Sequence, residues 1–168
     1  MKQMTGIMAA TADGIIGSKG ALPWNYPDEL EHFRNSTHNH TIVMGYNTYE
    51  STPKALFNDR QALVLSKNTQ LHLGDARVFF SLDEFLSYAQ TRLSNAKIFM
   101  IGGGQIADLF LENNLITSFI LTRIHKAYPG DTYMNLRNFQ GWQKEELQKT
   151  KNYTINLLKN PKEVTWNL

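Results

Sequence analysis
Short apolar runs alternate along this chain with stretches of helical spacing, separated by turns rich in glycine, proline and asparagine. Gly6 to Ala10 reads as a buried strand, and a glycine-bearing loop, Asp13 to Trp24, follows it. Pro27-Asp28 opens a helix that runs to about Thr37. Thr41 to Met44 is the next strand, with Gly45 and a short helix behind it. Ala62 to Ser66 and Arg77 to Phe80 are further strands. Ser81-Leu82-Asp83-Glu84 fits a capping box and starts an amphipathic helix to about Leu93. Ile98 to Ile101 runs into Gly102-Gly103-Gly104 and then a helix through about Glu112. Phe119 to Ile124 is another strand, and Trp142 to Lys149 with Tyr153 to Leu158 form a closing antiparallel hairpin around Lys151-Asn152. Strand alternating with helix implies parallel pairing through right-handed crossovers, hence an α/β sheet with helices on both faces. Ligands bind such sheets at the carboxyl ends of the strands, so the residues after each strand carry the information.

The chain has 168 residues, the usual size of one domain. Nothing in it reads as a linker, a repeat or a low-complexity tract, so residues 1–168 are taken as a single domain. Hydrophobic residues make up 42%, enough to bury a core and exclude wholesale disorder. A formal charge of +2 is too small to argue for nucleic acid as a partner. The absence of cysteine removes disulfide scaffolds and thiolate chemistry. No apolar run approaches the roughly 20 residues of a membrane helix, and Met1 to Gly6 lacks the apolar core of a signal peptide. A cytoplasmic protein without membrane contact is expected.

The strongest local signal is the strand that meets Gly102-Gly103-Gly104 and opens a helix. Backbone without Cβ atoms can approach a ligand closely, and free N–H groups at a helix start favour an anion. Gly102 to Ala107 also fits G-x-G-x-x-A, yet Thr122-Arg123 stand where that fingerprint needs an acid. The same residues also read as a tight strand-to-helix turn without a ligand. A second turn of this kind, Gly45-Tyr46-Asn47-Thr48, adds a hydroxyl, and two such helix starts in one sheet suit a pyrophosphate bridged between them.

In Asp28-Glu29-Leu30-Glu31-His32-Phe33-Arg34, Leu30 and Phe33 mark the inward stripe and Glu29 lies beside it. A carboxylate there is either a first-turn acid complementing the helix dipole or a group paired with a ligand's hydrogen-bonding edge. Leu22-Pro23-Trp24-Asn25-Tyr26-Pro27 sets two aromatics and two prolines just before it, a rigid wall suited to a flat heterocycle. His38-Asn39-His40 has metal-like spacing but no third ligand nearby, so no metal is expected. Neither G-x-S-x-G nor G-x-x-x-x-G-K-[ST] occurs, and Lys144 to Lys151 reads as a solvated strand face.

Taken in order, Ile16-Gly17, Leu22-Pro23-Trp24-Asn25, the acid with Phe33, Val43-Met44-Gly45, Ile101-Gly102-Gly103-Gly104 and Gly130-Asp131-Thr132 resemble the dihydrofolate reductases of the bacterial chromosomal type. The resemblance spans Gly6 to about Leu158; the tail Pro161 to Leu168 has no counterpart. It implies an eight-stranded, mostly parallel sheet with flanking helices and a C-terminal antiparallel hairpin. It implies hydride transfer from NADPH to dihydrofolate, with Glu29 as the pterin-binding acid, Thr122 supporting that carboxylate, and Trp24 beside them. Met8, Ala10 and Ile101 would line the pterin pocket, Leu22, Leu30, Phe33, Thr52 and Leu56 its walls, and Arg60 would grip the α-carboxylate of the glutamate tail. Cofactor contacts would come from Ala10, Ile16, Gly17, Leu22, Gly45, Tyr46, Asn47, Thr48, Leu65, Ser66, Lys67, Gly102, Gly103, Gly104, Gln105 and Ile106. Asp13 to Trp24 resembles the mobile loop over the nicotinamide, with Leu22 at its tip. A monomer and binding of antifolate inhibitors are implied as well.

The departures from that family pattern fall on the cofactor side. Tyr46 stands where an arginine commonly contacts the 2′-phosphate, and Gln105 replaces another arginine, leaving Lys67 as the nearby cation. Weaker discrimination against NADH follows, because charge-assisted contacts are lost. Ala107 takes the place of a tyrosine near the nicotinamide, so a void or a wetter site is expected there. Two other readings stay open at this point: a related reductase acting on a ribosylated pyrimidine in flavin synthesis, and a non-catalytic pterin- or nucleotide-binding protein.

Overall fold
The computed structural model describes residues 3–166; Met1, Lys2, Asn167 and Leu168 lie outside the described residues. Its main sheet has eight strands, in the spatial order β5-β4-β3-β6-β1-β7-β10-β9. These are β1 (Met4–Thr11), β3 (Thr41–Gly45), β4 (Gln61–Leu65), β5 (Arg77–Phe79), β6 (Ile98–Met100), β7 (Ser118–Ile124), β9 (Gln143–Lys149) and β10 (Tyr153–Lys159). The first six pair in parallel, whereas β10 runs antiparallel to both β7 and β9. The expected mostly parallel sheet with a closing hairpin is therefore present. Helices α1 (Pro27–Thr37), α2 (Tyr46–Ser51), α3 (Leu82–Arg92) and α4 (Gly104–Glu112) connect the strands.

Local chemistry explains these boundaries. Pro27 sits in the first turn of α1, where its missing N–H costs nothing. Ser81 caps α3 by accepting from Glu84 N at 3.1 Å, and Glu84 reaches back to Phe80 N at 3.1 Å. Period-two alternation divides the strands between two cores. Val43, Leu63 and Met100 pack with Phe85, Leu86 and Phe110 of α3 and α4. On the opposite face Ile42, Met44, Val64 and Phe99 pack with Tyr49 and Phe57. Strand β9 is exposed throughout, as its mixed charges suggest, and its lysines and glutamates suit an edge with no neighbour.

The structure adds features that the sequence reading lacked. The loop from Asp13 to Trp24 contains a strand, β2 (Ile15–Gly17), which pairs with β8 (Thr132–Tyr133) as a separate two-stranded sheet. Turns of 3-10 helix occupy Lys54–Asp59 and Leu136–Phe139. The tail is tied down: Trp166 is buried, its Nε1 donates to Leu115 O at 3.2 Å, and Gln90 Nε2 donates to its carbonyl at 2.5 Å. No helix among the described residues is long and apolar enough to cross a membrane.

The topology also places a switch point. The chain leaves β3 toward β4 and β5 on one side, and leaves β6 toward β7 on the other. Adjacent strands whose connections diverge leave a crevice at their carboxyl ends. There Gly45 N donates to Gly102 O at 2.9 Å, fastening the two turns side by side.

Candidate active site
A cleft of about 2080 Å³ opens at this edge of the sheet. One end is walled by Ile7, Met8, Glu29, Leu30, Phe33 and Leu56, with Thr52 and Ile101 beside them. The other is formed by Gly45 to Thr48, Leu65 to Lys67 and Gly103 to Ile106, with Ile16, Gly17 and Leu22 over it. All but four of the residues expected on either side thus line one continuous space.

Four candidates do not line it: Ala10, Trp24, Gly102 and Thr122. Ala10 is fully buried in the core on the same face of β1 as Met4 and Met8, whereas Ile7, Met8 and Ala9 line the cleft. Alternation groups Ile7 with Ala9, which the sequence reading omitted, but does not by itself mark them as cleft residues, since Met8 on the other face lines it too. Gly102 lies behind the cleft, joined to Gly103 by a cis peptide. Trp24 is 5% exposed in a cluster with Ile124, Tyr153 and Ile155, and its ring lies 5.8 Å from that of Tyr128. Its buried indole Nε1–H has no acceptor among the described residues. Thr122 stands behind Glu29 and hydrogen-bonds its carboxylate.

The expected inward stripe of α1 also needs correction. Leu30 and Phe33 are half-buried and face the cleft, while the fully buried side chains of this helix are Glu29 and Thr37. Glu29 is 6% exposed, and burial raises its pKa above the ordinary carboxylate range. The Thr122 hydrogen bond pulls the other way, and the neighbouring Asp28 charge pushes upward again. Asp28 is itself held by Tyr153, whose hydroxyl donates to Oδ2 at 2.6 Å. A carboxylate buried against apolar walls, with one oxygen-bearing neighbour behind it, is equipped to accept hydrogen bonds from the edge of a heterocycle.

At the other end the cleft is lined by the turns at Gly45 and at Gly103-Gly104, residues that have only backbone to offer. No side chain caps α2 or α4, so their first N–H groups remain available to an anion. The fit is tight where the elements meet: a Cβ on Gly45 would stand 2.8 Å from Ile106 Cγ1, and one on Gly104 only 1.9 Å from Tyr133 O. Thr48 Oγ1 lies beside Gly103, within 3.2 Å of where a Cβ would be. These features fit a dinucleotide pyrophosphate. The Tyr46 hydroxyl is engaged with Glu50, and both line the cleft. The void expected at Ala107 is absent from this surface, since Ala107 is fully buried in the core with Phe110 and Met134.

The loop over the cleft is fastened at its root. Asp131 N donates to Gly17 O at 3.1 Å, Met134 N to Gly14 O at 2.9 Å, and Lys19 N to Asp131 Oδ2 at 3.1 Å. The Lys19 N–H and the Thr132 hydroxyl hold the Asp131 carboxyl below its usual pKa. Leu22 remains 46% exposed and lines the cleft. His38 and His40 have no third ligand: no group of three or more His, Cys, Asp or Glu among the described residues is placed to hold a metal ion.

Comparison with known proteins agrees with this geometry. The family profile described as dihydrofolate reductase matches residues 3–161. A dihydrofolate reductase of Ureaplasma parvum is 30% identical over 160 residues, covering 94% of this chain and 97% of that protein. One from Staphylococcus haemolyticus is 26% identical over 143 residues, covering 85% and 82%. Among solved structures, the dihydrofolate reductase of Enterococcus faecalis complexed with NADP(H) and RAB-propyl superposes with a TM-score of 0.75 at 26% identity, covering 94% of each chain. With the fold, the switch-point cleft and the match along nearly the whole chain in agreement, the chain belongs to the dihydrofolate reductase family.

Proposed function
We propose that this protein reduces 7,8-dihydrofolate to 5,6,7,8-tetrahydrofolate with NADPH. The observation that carries the reading is a single cleft joining a buried carboxylate, Glu29, to the uncapped starts of α2 and α4. Family membership favours it over the pyrimidine-reductase and binding-protein readings. NADPH, when bound, supplies the hydride that adds to pterin C6, with a proton added at N5.

The chain's own residues do the rest. Gly45, Asn47, Thr48, Gly103, Gly104 and Gln105 are the groups that would hold the dinucleotide, with Ser66 and Lys67 toward its ribose phosphate. Glu29 accepts from the pterin's N3 and 2-amino groups and so fixes the ring in the cleft. Thr122 orients that carboxylate, and Leu30, Phe33 and Leu56 exclude water from the ring's faces. A water relaying the proton to N5 would let one acid serve, and the buried Trp24 Nε1–H, which has no acceptor among the described residues, would be a donor open to such a water. Leu22, carried on the fastened loop, shields the reacting atoms. The same carboxylate and walls would receive antifolate inhibitors. We read residues 1–168 as one domain working as a monomer in the cytoplasm.

The test is NADPH oxidation with dihydrofolate, alongside NADH, for the natural sequence and Glu29→Gln. Turnover that collapses in the variant supports the reading. Tight dihydrofolate binding without turnover on either nucleotide overturns it in favour of a binding protein.

A further inference from the structure
Arg60 lines the cleft with its side chain only 4% exposed. Four of its five N–H groups are already engaged: Nε with Thr37 Oγ1 at 3.0 Å, Nη1 with Leu56 O at 3.0 Å and Asp59 Oδ1 at 2.5 Å, and Nη2 with Arg34 O at 2.8 Å. Two of these acceptors are backbone carbonyls. Thr37 is pinned by donating its hydroxyl to Phe33 O at 2.9 Å. Asp59 is the one acceptor able to turn away by rotating a side chain. Its second oxygen, Oδ2, lies 2.6 Å from His38 Nδ1, and Asp59 and His38 both line the cleft.

A carboxylate held bidentately by arginine needs two parallel N–H groups, and Arg60 has one uncommitted. We propose that Asp59 is a built-in competitor for the carboxylate-binding N–H groups of Arg60, so that a ligand carboxylate binds there by displacing Asp59 onto His38. The inference rests on the reductase reading, in which the glutamate tail of dihydrofolate extends to Arg60. Asp59 then sets the specificity of the site. It reduces what a tail carboxylate contributes, both by occupying its partner and by like-charge repulsion, and biases the enzyme toward pterins without that carboxylate. His38 has the opposite effect, because it receives Asp59 when Asp59 leaves.

The experiment measures KM for dihydrofolate and for a 7,8-dihydropterin lacking the benzoylglutamate tail, under saturating NADPH. For Asp59→Ala the ratio of the first KM to the second is expected to fall about three- to tenfold. An unchanged or raised ratio overturns the proposal. His38→Ala provides a second arm should Asp59→Ala fail to fold: the same ratio is expected to rise about two- to threefold, and a constant or falling ratio overturns the proposal. Adding Arg60→Gln to Asp59→Ala should erase the gain, and a gain that survives without the guanidinium also overturns it. A natural protein that reduces neither pterin would overturn the reductase reading, and the competitor role with it. Reduction of both with no dependence on Asp59 overturns the competitor role alone.

Discussion
At the Glu29 end the groups that line the cleft are side chains, namely a buried carboxylate and the apolar walls of Leu30, Phe33 and Leu56. At the other end they are largely main chain, at Gly45, Gly103 and Gly104, with Thr48 alongside. The two ends therefore respond differently to substitution. Recognition by side chains is lost with one residue. Recognition by backbone survives many substitutions nearby and fails when the chain path itself is disturbed. Under the proposed function this would let the cofactor end carry Tyr46 and Gln105, where the family resemblance implies arginines, on an unaltered fold: such changes alter the charge offered to a ligand, not the cradle.

The sharpest break is Glu29→Gln. Turnover with dihydrofolate should fall by about 10²- to 10⁴-fold, while NADPH binding, followed by fluorescence, stays intact. The same substitution should stabilise the free protein at alkaline pH. Burial raises the folded-state pKa of Glu29, so the stability linked to its proton is present below the ordinary carboxylate range and lost as pH rises through the raised value. The variant carries no such loss. Its melting temperature should exceed that of the natural sequence at pH 8, with the difference vanishing below about pH 4. Equal melting curves at pH 8 would contradict the desolvated carboxylate.

The matching break at the backbone end is Gly104→Ala. The new Cβ would meet the Tyr133 carbonyl, which is main chain and cannot rotate aside. Either β8 or the start of α4 has to move, at a cost of about 1–3 kcal/mol. Chemical denaturation measures that loss, and KM for NADPH should rise more than KM for dihydrofolate. If both rise equally, the two ends are not separable in the way their construction suggests.

These contrasts also govern what the sequence could reveal. Strands were readable where apolar runs were continuous, as in Thr41 to Met44, because both faces of the sheet are covered. Ser81 and Glu84 marked a helix start through their own hydrogen bonds. Glu29 stood out through its neighbours: beside the apolar stripe alone it also reads as a first-turn acid complementing the helix dipole, and the rigid wall of Leu22 to Pro27 turns the reading toward a ligand. The pairing of β2 with β8 was hidden, since both strands are too short to show a period and their partners lie far apart in the chain. The burial of Ala107 and the engagement of Arg60 by Asp59 were hidden too. Each depends on what the fold brings alongside a residue rather than on its type.

A smaller effect is expected from Thr122→Val, which keeps the shape and removes the hydroxyl that supports Glu29. Loss of this hydrogen bond should lower kcat/KM about tenfold. Because the bond holds the Glu29 pKa down, its removal raises that pKa further, and the pH limb due to Glu29 should move upward. A lower rate with an unmoved limb would mean that Thr122 acts only through packing.

The smallest effect tests the proposed cofactor end by adding a cation there. Tyr46→Arg should raise the preference for NADPH over NADH, read as the ratio of the two kcat/KM values. The gain should be only about three- to tenfold, although a charge-assisted contact to phosphate can be worth more. The reason is Glu50: it already engages the Tyr46 hydroxyl, lies four residues along the same helix, and would pair with an arginine at position 46. Adding Glu50→Gln should release that arginine and bring the rest of the gain. If the single substitution alone gave the full increase, Glu50 would not compete. A preference for NADPH already above about a thousandfold, roughly 4 kcal/mol, in the natural sequence would show that Ser66, Lys67 and the backbone suffice without either arginine.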